Sequence, residues 1–390
     1  MFSDLLNVFY RLQPAHVART PEERQAVYRM RYHIYVAEQK RAGLPLVEGE
    51  IPEVHTPEDD EPLTMVFYLG KLPDIDGTVR IRVFPPGKLP PALLTQYTLE
   101  RFPDIQTRTT CQVGFLMVKP SFRGTASVIA LTGGAVDQVV RQHGVEMMIA
   151  DCMPAHFHAY RRLGLRPFGG RIFSSNVGVV IPLVGITADL SHARAVRSPW
   201  YPVLKRLERD GQLPTRDFAA LVAPTRNGGV ETDPGRIEAA VEKGVAELGA
   251  SFLGRLPART RRSLVRNGMI LDIEAGVDVI RQGFASRDIF VVIEGHMDVI
   301  IDGANRKSVG PGEIVGEIAF FDSTGLRSAS LKSTTACRLL HLRRSVIRRF
   351  AKGHPADGLL IYEALGEVLA RRLAAANPGN GSNHAGDPRG

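Results

Sequence analysis

Tryptophan occurs once and cysteine three times among the 390 residues. Cys111, Cys152 and Cys337 lie far apart, with no paired metal-ligand spacing. That argues against a disulfide scaffold and for free thiols in a reducing cytosol. No apolar run approaches the length of a membrane span, and Met1 to Gln13 lacks the basic-then-apolar order of a signal peptide. The expected location is therefore cytoplasmic. What is present is ordinary for a globular protein: 44% hydrophobic and 23% charged residues. The length leaves room for two or three domains, each with its own core. A formal net charge of +8 favours an acidic partner, whether nucleic acid, a lipid surface or an acidic carrier protein.

Near the C-terminus stands Gly310-Pro311-Gly312-Glu313-Ile314-Val315-Gly316-Glu317-Ile318-Ala319-Phe320-Phe321, followed by Arg327-Ser328-Ala329-Ser330. Small residues let backbone approach a ligand closely, and an Arg supplies a planar fork of donors for a phosphate. Glu317 precedes that Arg by ten positions; a carboxylate beside a phosphate suits a hydroxyl such as a ribose 2′-OH. This stretch resembles the phosphate-binding cassette of cyclic-nucleotide-binding domains, in the Arg-Ser-Ala form of the bacterial catabolite activator protein. The resemblance implies a ligand site made by Gly316, Glu317, Ile318, Ala319, Arg327, Ser328 and Ala329, with cAMP the expected ligand and cGMP the alternative. Strand-like segments at Met269–Ile273, Asp278–Arg281, Asp288–Glu294 and Met297–Asp302, separated by turn glycines, predict a jelly-roll-like β-roll over 249–377. The helix 358–375 would be its lid and a homodimer contact. The last residues, 378–390, read as a disordered tail rather than a DNA reader, so no DNA partner is expected.

The first segment carries different chemistry. Thr20-Pro21-Glu22-Glu23 is a helix start, and the helix is expected to run to Glu38 with Val27, Met30, Ile34 and Tyr35 on one face. An acidic, Pro-rich loop (48–61) leads to strands at 64–69 and 77–84. In the second, alternation places Val79, Ile81 and Val83 on one face and Arg80 and Arg82 on the other. The strand Cys111 to Pro120 runs into Ser121-Phe122-Arg123-Gly124-Thr125-Ala126-Ser127 and a helix to His143. A strand, a small-residue turn and a helix N-terminus together make an anion site. A further strand, 146–151, precedes Pro154-Ala155-His156-Phe157-His158-Ala159-Tyr160-Arg161-Arg162-Leu163-Gly164-Leu165.

These segments resemble the GNAT acyltransferases, and within them the branch of autoinducer synthases and N-acyl amino acid synthases. Val-x-Pro-x-x-Arg-Gly is that family's approach to the donor pyrophosphate, and Tyr-x-x-Leu-Gly-Leu its tyrosine helix. The resemblance implies donor contacts from Val118, Phe122, Arg123, Gly124, Thr125, Ala126 and Ser127. It implies acceptor contacts from Arg31, Tyr35, Glu38, Arg80 and Gln112. Amides near Met117 and Val118 would polarise the thioester carbonyl, and Tyr160 would protonate the departing thiolate. The chain departs from the family in its shortened Arg-Gly-Thr-Ala-Ser loop and in Gln112, where the branch often has Glu.

The expected architecture is α+β: a mixed sheet flanked by helices (1–190), a linker with a connector helix (191–248), then the β-roll with its lid helix. The expected function is a cyclic-nucleotide-regulated N-acyltransferase. Its donor would be acyl carrier protein or coenzyme A thioester, its acceptor an amino acid or similar small amine, with no metal. Two alternatives stand beside it: a cAMP-regulated protein lysine acetyltransferase, and a non-catalytic signalling adaptor.

Overall fold

The computed structural model describes residues 14–49, 51–102, 104–214, 229–245 and 251–376. The expected tail, the residues read for a signal peptide and most of the Ala223–Gly229 linker lie outside these. The chain divides into two compact units, Met1–Val230 with Val277–Ala285, and Glu231–Gly276 with Ser286–Gly390. Among the described residues, no helix is long and apolar enough to cross a membrane.

In the first unit, helix α1 (Pro21–Arg31) starts where the sequence places it. Thr20 Oγ1 accepts from Glu23 N at 3.3 Å, while Glu23 accepts from the Thr20 amide at 2.9 Å, a reciprocal capping box. The helix does not continue unchanged to Glu38. From Tyr32 to Glu38 it widens to a π-helical winding, with Gln39 N donating to Ile34 O at 3.0 Å. Val27, Met30, Ile34 and Tyr35 are all buried, as their spacing predicts.

The sheet has strands β1 (His16–Val17), β2 (Thr64–Gly70), β3 (Ile75–Phe84), β4 (Thr110–Val118), β5 (Met147–Cys152), β6 (Phe173–Ser175) and β7 (Gly178–Ile186), in the order β1-β2-β3-β4-β5-β7-β6. Among the described strands of this sheet, only β4 and β5 pair in parallel. Such a pair needs a crossover, which helix α2 (Ser127–His143) supplies. Register and alternation sort the side chains by face: Val79, Ile81, Val113, Met148 and Ala150 on one, Arg80, Arg82, Gln112, Ile149 and Asp151 on the other. Helix α3 (Phe157–Leu163) carries Tyr160. The unit extends past the expected boundary at 190. Helices Leu190–Ala195 and Tyr201–Arg209 belong to it, and buried Trp200 donates its indole N–H to Thr132 Oγ1 at 2.9 Å.

The second unit is the β-roll. Its strands are β8 (Met269–Ile273), β9 (Ile289–Glu294), β10 (Met297–Ile301), β11 (Ala304–Val309), β12 (Ile314–Val315), β13 (Ser330–Ser333) and β14 (Cys337–Leu342). One sheet runs β8-β14-β9-β12; in the other, β10 pairs with both β11 and β13. Short helix α4 (Glu317–Phe321) follows β12, and helices α5 (Arg344–Gly353) and α6 (Pro355–Ala376) close the chain. Ile361 and Leu365 of α6 are fully buried in a core with Phe252, Ile289 and Leu340.

Thr20→Ala removes one half of the capping box and should lower stability by about 1 kcal/mol. The denaturant midpoint of the full chain measures it, and an unchanged midpoint would show that the cap adds nothing.

Candidate functional site

Strands β4 and β5 pair only at Thr110↔Met147, Cys111↔Met148 and Gln112↔Ile149, then separate. On its other edge β4 stays paired to β3 as far as Val118. That ladder slips between Thr78 and Arg80, where Phe115 sits at φ 51°, a β-bulge that re-aims the following residues. Beyond Gln112, β4 therefore has no strand partner on the β5 side. On one sheet face, a narrow apolar cavity lies beside this opening, lined by Val113, Leu116, Met148, Tyr160, Leu165 and Trp200 among others. Burial pushes the Tyr160 phenol well above its ordinary value, and Cys152, Tyr35 and Asp151 push the same way. Tyr160 is a neutral hydroxyl at any physiological pH. Met117 and Val118 are buried at the end of β4.

The opposite face is polar, and its residues meet an acid that sequence reading passed over. Arg31 is fully buried and donates through Nη1 and Nη2 to Asp59 Oδ2 and Oδ1 at 2.7 and 2.9 Å. Arg80 donates to Thr56 Oγ1 at 2.6 Å and reaches Asp59 Oδ1 at 3.4 Å. Thr56 N donates to Asp59 at 2.9 Å. The Phe115 ring takes both guanidiniums, 4.2 Å from Arg31 and 4.6 Å from Arg80. Arg31, Arg80 and the bulge are thus one cluster around Asp59. Burial pushes the Asp59 carboxyl up; hydrogen bonds and charge from Arg31, then the Thr56 amide, outweigh it and hold the group below the usual carboxylate range. The available signal was Thr56 followed three residues later by an acid, a capping pattern inside the Pro-rich loop.

Gln112 belongs to a second polar row. It accepts from Arg82 at 3.0 Å and donates to the Tyr97 hydroxyl at 3.4 Å. Tyr35 is buried under the Arg41 guanidinium, 3.6 Å above its ring. Glu38, expected at the acceptor, and Arg123, expected at the donor, are instead paired with each other, both Arg123 nitrogens within 2.6 Å of the carboxylate. Both are exposed, so the pair contributes little to stability.

The loop before α2 is partly closed on itself. The amides of Phe122, Arg123 and Thr125 donate to Lys119 O, Pro120 O and Phe122 O, and Ser127 N donates to Thr125 Oγ1 at 3.2 Å. Gly124, at φ 76°, faces open space, and Ala126 caps α2 without a side-chain bond. Among the described residues, no group of three or more His, Cys, Asp and Glu could hold a metal ion.

In the second unit the cassette residues converge. Gly316 turns the chain from β12 into α4 at φ 87°; a Cβ there would collide with Arg327 Nη1 and lie 2.9 Å from Asp288 O. Glycine is required twice over, by conformation and by space. Arg327 is buried and donates to Gly316 O at 3.2 Å, Ser286 Oγ at 3.0 Å and Asp288 O at 2.7 Å. All three acceptors are neutral, and among the described residues no carboxylate forms an ion pair with it. Burial lowers its guanidinium to about 10, with Asp288 and Glu317 pulling against that. Asp288 is itself engaged with His341 Nε2 at 3.0 Å and the Arg344 amide at 3.1 Å. Glu317 is buried and held by Arg372 of α6, which also donates to Ile314 O at 2.6 Å. Ala319 is buried, Ile318 exposed, and Ser328 and Ala329 form the bend before β13. Arg372 was not singled out in sequence, because a lid-helix Arg carries no local mark of its partner.

The first unit is a mixed α/β unit with a parted parallel pair, and the second a β-roll holding a buried arginine. Residues 26–189 match the N-acyl amino acid synthase FeeM family, and residues 270–354 match the cyclic nucleotide-binding domain family. The chain therefore carries an N-acyl amino acid synthase domain and a C-terminal cyclic nucleotide-binding domain. Glutaminase 2 of Bradyrhizobium diazoefficiens is 35% identical over 128 residues, 33% of this chain and 20% of that protein. The Pycsar effector protein XpPycTIR of Xanthomonas perforans is 28% identical over 114 residues, 29% of this chain and 36% of that one. The chain thus spans well under half the length of these curated relatives. Among solved structures, the cyclic nucleotide-binding domain from Methylobacillus flagellatus matches with a TM-score of 0.34 and 16% identity over 42% of this chain and 95% of that chain. The Thermus thermophilus catabolite activator protein matches at 0.29 and 25% over 33% and 60%.

Removing one partner from a fully buried charge cluster leaves the others uncompensated, so Asp59→Asn should destabilise the first unit by about 3–5 kcal/mol. Because the folded carboxyl is held below its unfolded value, its stabilisation is present above the ordinary carboxylate range and lost as pH falls through the folded value. Denaturant unfolding from neutral to acid pH should show a smaller pH dependence in the variant. An equal loss of stability with pH in both proteins would remove Asp59 from the acid response.

Proposed function

We propose that the chain moves an acyl group from an acyl carrier protein or coenzyme A thioester onto the amine of an amino acid or similar small acceptor, at a rate set by a cyclic nucleotide in the second unit. The observation that carries the first half is the parted β4–β5 pair with Tyr160 in the apolar cavity beside it. An acyl chain would match that cavity's apolar lining, and the thioester carbonyl would take backbone amides of β4 near Met117 and Val118. Donors fixed before reaction stabilise the developing oxyanion without reorganising. The amine would attack the carbonyl carbon, and the sulfur would leave with its electron pair. Tyr160, a neutral phenol, would then give its proton to the thiolate. The donor's phosphates would meet the loop Phe122 to Ser127, with Arg123 exchanging Glu38 for phosphate. Arg31 and Arg80, locked on Asp59, would shape the acceptor face and set its field rather than touch the acceptor directly.

The second half rests on Arg327, a buried cation whose bonds among the described residues go to neutral oxygens. A cyclic phosphate would supply the missing anion, with the amides at Ser328 and Ala329 beside it and Glu317 on the ribose hydroxyl. Control of the rate then requires that the ligand bind two arrangements of the lid unequally, since a ligand shifts an equilibrium only by its differential affinity.

Tyr160→Phe should keep the fold and slow thiol release by about 10²–10⁴-fold; a wild-type rate would make Tyr160 a packing residue. Arg327→Ala should weaken cAMP binding to the full chain by at least roughly tenfold, a charge-assisted phosphate contact being worth about 1.5–3 kcal/mol. Calorimetric titration with cAMP and cGMP decides it. No heat with either nucleotide would end the sensing half, and binding without a change in acyl-transfer rate would end the regulatory one.

A further inference from the structure

We propose that Asp151 is the proton acceptor for the attacking amine, an assignment that rests on the acyl-transfer reading above. Asp151 lies on β5 two residues beyond Ile149, the last residue paired to β4, and so at the opening between the strands. Its side chain shares the sheet face of Arg80, Arg82 and Gln112. Its Oδ1 accepts from the Tyr97 hydroxyl at 2.5 Å; Oδ2 is the oxygen that the Tyr97 bond does not engage. The oxygen left over is the one that can take a proton.

The row behind it fixes that orientation. Tyr97 accepts from Gln112 Nε2 at 3.4 Å, Gln112 Oε1 accepts from Arg82 at 3.0 Å, and Arg82 forks onto Glu61 at 2.9 and 2.6 Å. Gln112 cannot accept a proton under these conditions, and Glu61 and Asp59 are committed to arginines. Among the described residues at this edge, Asp151 is a carboxylate in no ion pair. The groups that act on it are the Tyr97 hydroxyl and the charge of Arg41, while Tyr160 lies beside the same opening on the other face of the sheet. Burial raises its carboxyl above the ordinary value, opposed by the Tyr97 hydrogen bond and by the charge of Arg41. Its own charge acts in turn on Tyr160 and Cys152. A carboxylate at the same opening as Tyr160, but on the other sheet face, would take the amine's proton while Tyr160 serves the thiolate.

The acceptor arrives as an ammonium ion, and Asp151 takes one proton to free the amine. Nitrogen attacks the thioester carbon; the N–C bond forms, the C–S bond breaks, and the electron pair leaves on sulfur. Tyr160 gives its proton to sulfur and regains one from the amide nitrogen. Asp151 then returns its proton to solvent, so one ammonium and one thioester yield one amide, one thiol and one proton.

The test uses the full chain, dodecanoyl-coenzyme A and dodecanoyl carrier protein as donors, and an equimolar mixture of the twenty amino acids, with thiol release and mass spectrometry of acylated amines as readouts. Asp151→Asn should lower kcat by about 10²–10⁴-fold and abolish the acid limb of the kcat/KM profile, where wild-type activity falls as the raised carboxyl becomes protonated. Tyr97→Phe removes a bond that lowers that carboxyl, so the limb should move to higher pH in a protein that still turns over. An active Asp151→Asn enzyme with the limb intact overturns the proposal and leaves acyl transfer standing; so does a Tyr97→Phe profile whose limb has not moved. A folded wild type that transfers no acyl group to any amine overturns both the reading and the assignment built on it.

Discussion

Two parallel strands that pair for three residues and then part are the constraint on which the first unit depends. Continuous pairing would satisfy every backbone group between β4 and β5 and leave no room between them. Parting leaves polar backbone facing an interior, which native structures do not leave without partners. The bulge at Phe115 makes the separation possible on one side, because it lets β4 bend while its other edge stays bonded to β3. The wedge in turn divides the chemistry by face. Apolar residues and Tyr160 gather on the α2 side, while charged and amide side chains gather on the other.

The two buried arginine sites differ in how their charge is balanced. Arg31 and Arg80 share a carboxylate, the Thr56 hydroxyl and the Phe115 ring, so that cluster is complete without a ligand. Desolvation makes such a cluster weak as a source of net stability, but costly to break and hence firm as a positioning device. It ties the acidic loop to α1 and to the bulge. Arg327 is the opposite case. It has neutral acceptors, a guanidinium lowered by burial, and a glycine opposite that admits nothing larger than hydrogen. A buried cation so arranged is incomplete in the sense that matters for binding, since an anion would recover the desolvation that burial costs.

Local chemistry was readable from the sequence; long-range partnership was not. The Thr20 cap, the alternation of Val79, Ile81 and Val83, and the strands of the β-roll follow from spacings of a few residues, and each stands in the structure within a residue or two. Gly316 was legible for the same reason, because the need for a positive φ beside a ligand is a property of one position. Asp59, Tyr97 and Asp151 were not. Each takes its meaning from a partner 28, 54 or more residues away, and an acid in a Pro-rich loop looks like solvated charge until the fold buries it. Trp200 stands in a stretch that reads as linker, because Pro and Arg there resemble exposed chain. The buried bond to Thr132 reverses that reading. The π-helical turn at Tyr32–Glu38 has no counterpart in propensity that would announce it.

The lid helix adds a linkage that no cassette motif encodes. Arg372 of α6 holds Glu317 and the carbonyl of Ile314, so α6 closes directly over the carboxylate assigned to a ribose hydroxyl. A neutral hydroxyl and a guanidinium cannot draw on that buried carboxylate to the same degree at once. Ligand entry would weaken the Arg372 contact, and whatever position α6 takes afterwards would be set by its remaining contacts, Ile361 and Leu365 in the core and Tyr362 beside Phe320 and Phe321. If a nucleotide drew on Glu317, its affinity and the position of α6 would be coupled through that one charge, and reciprocally: an α6 held by Arg372 would lower ligand affinity by the same factor by which ligand loosens α6.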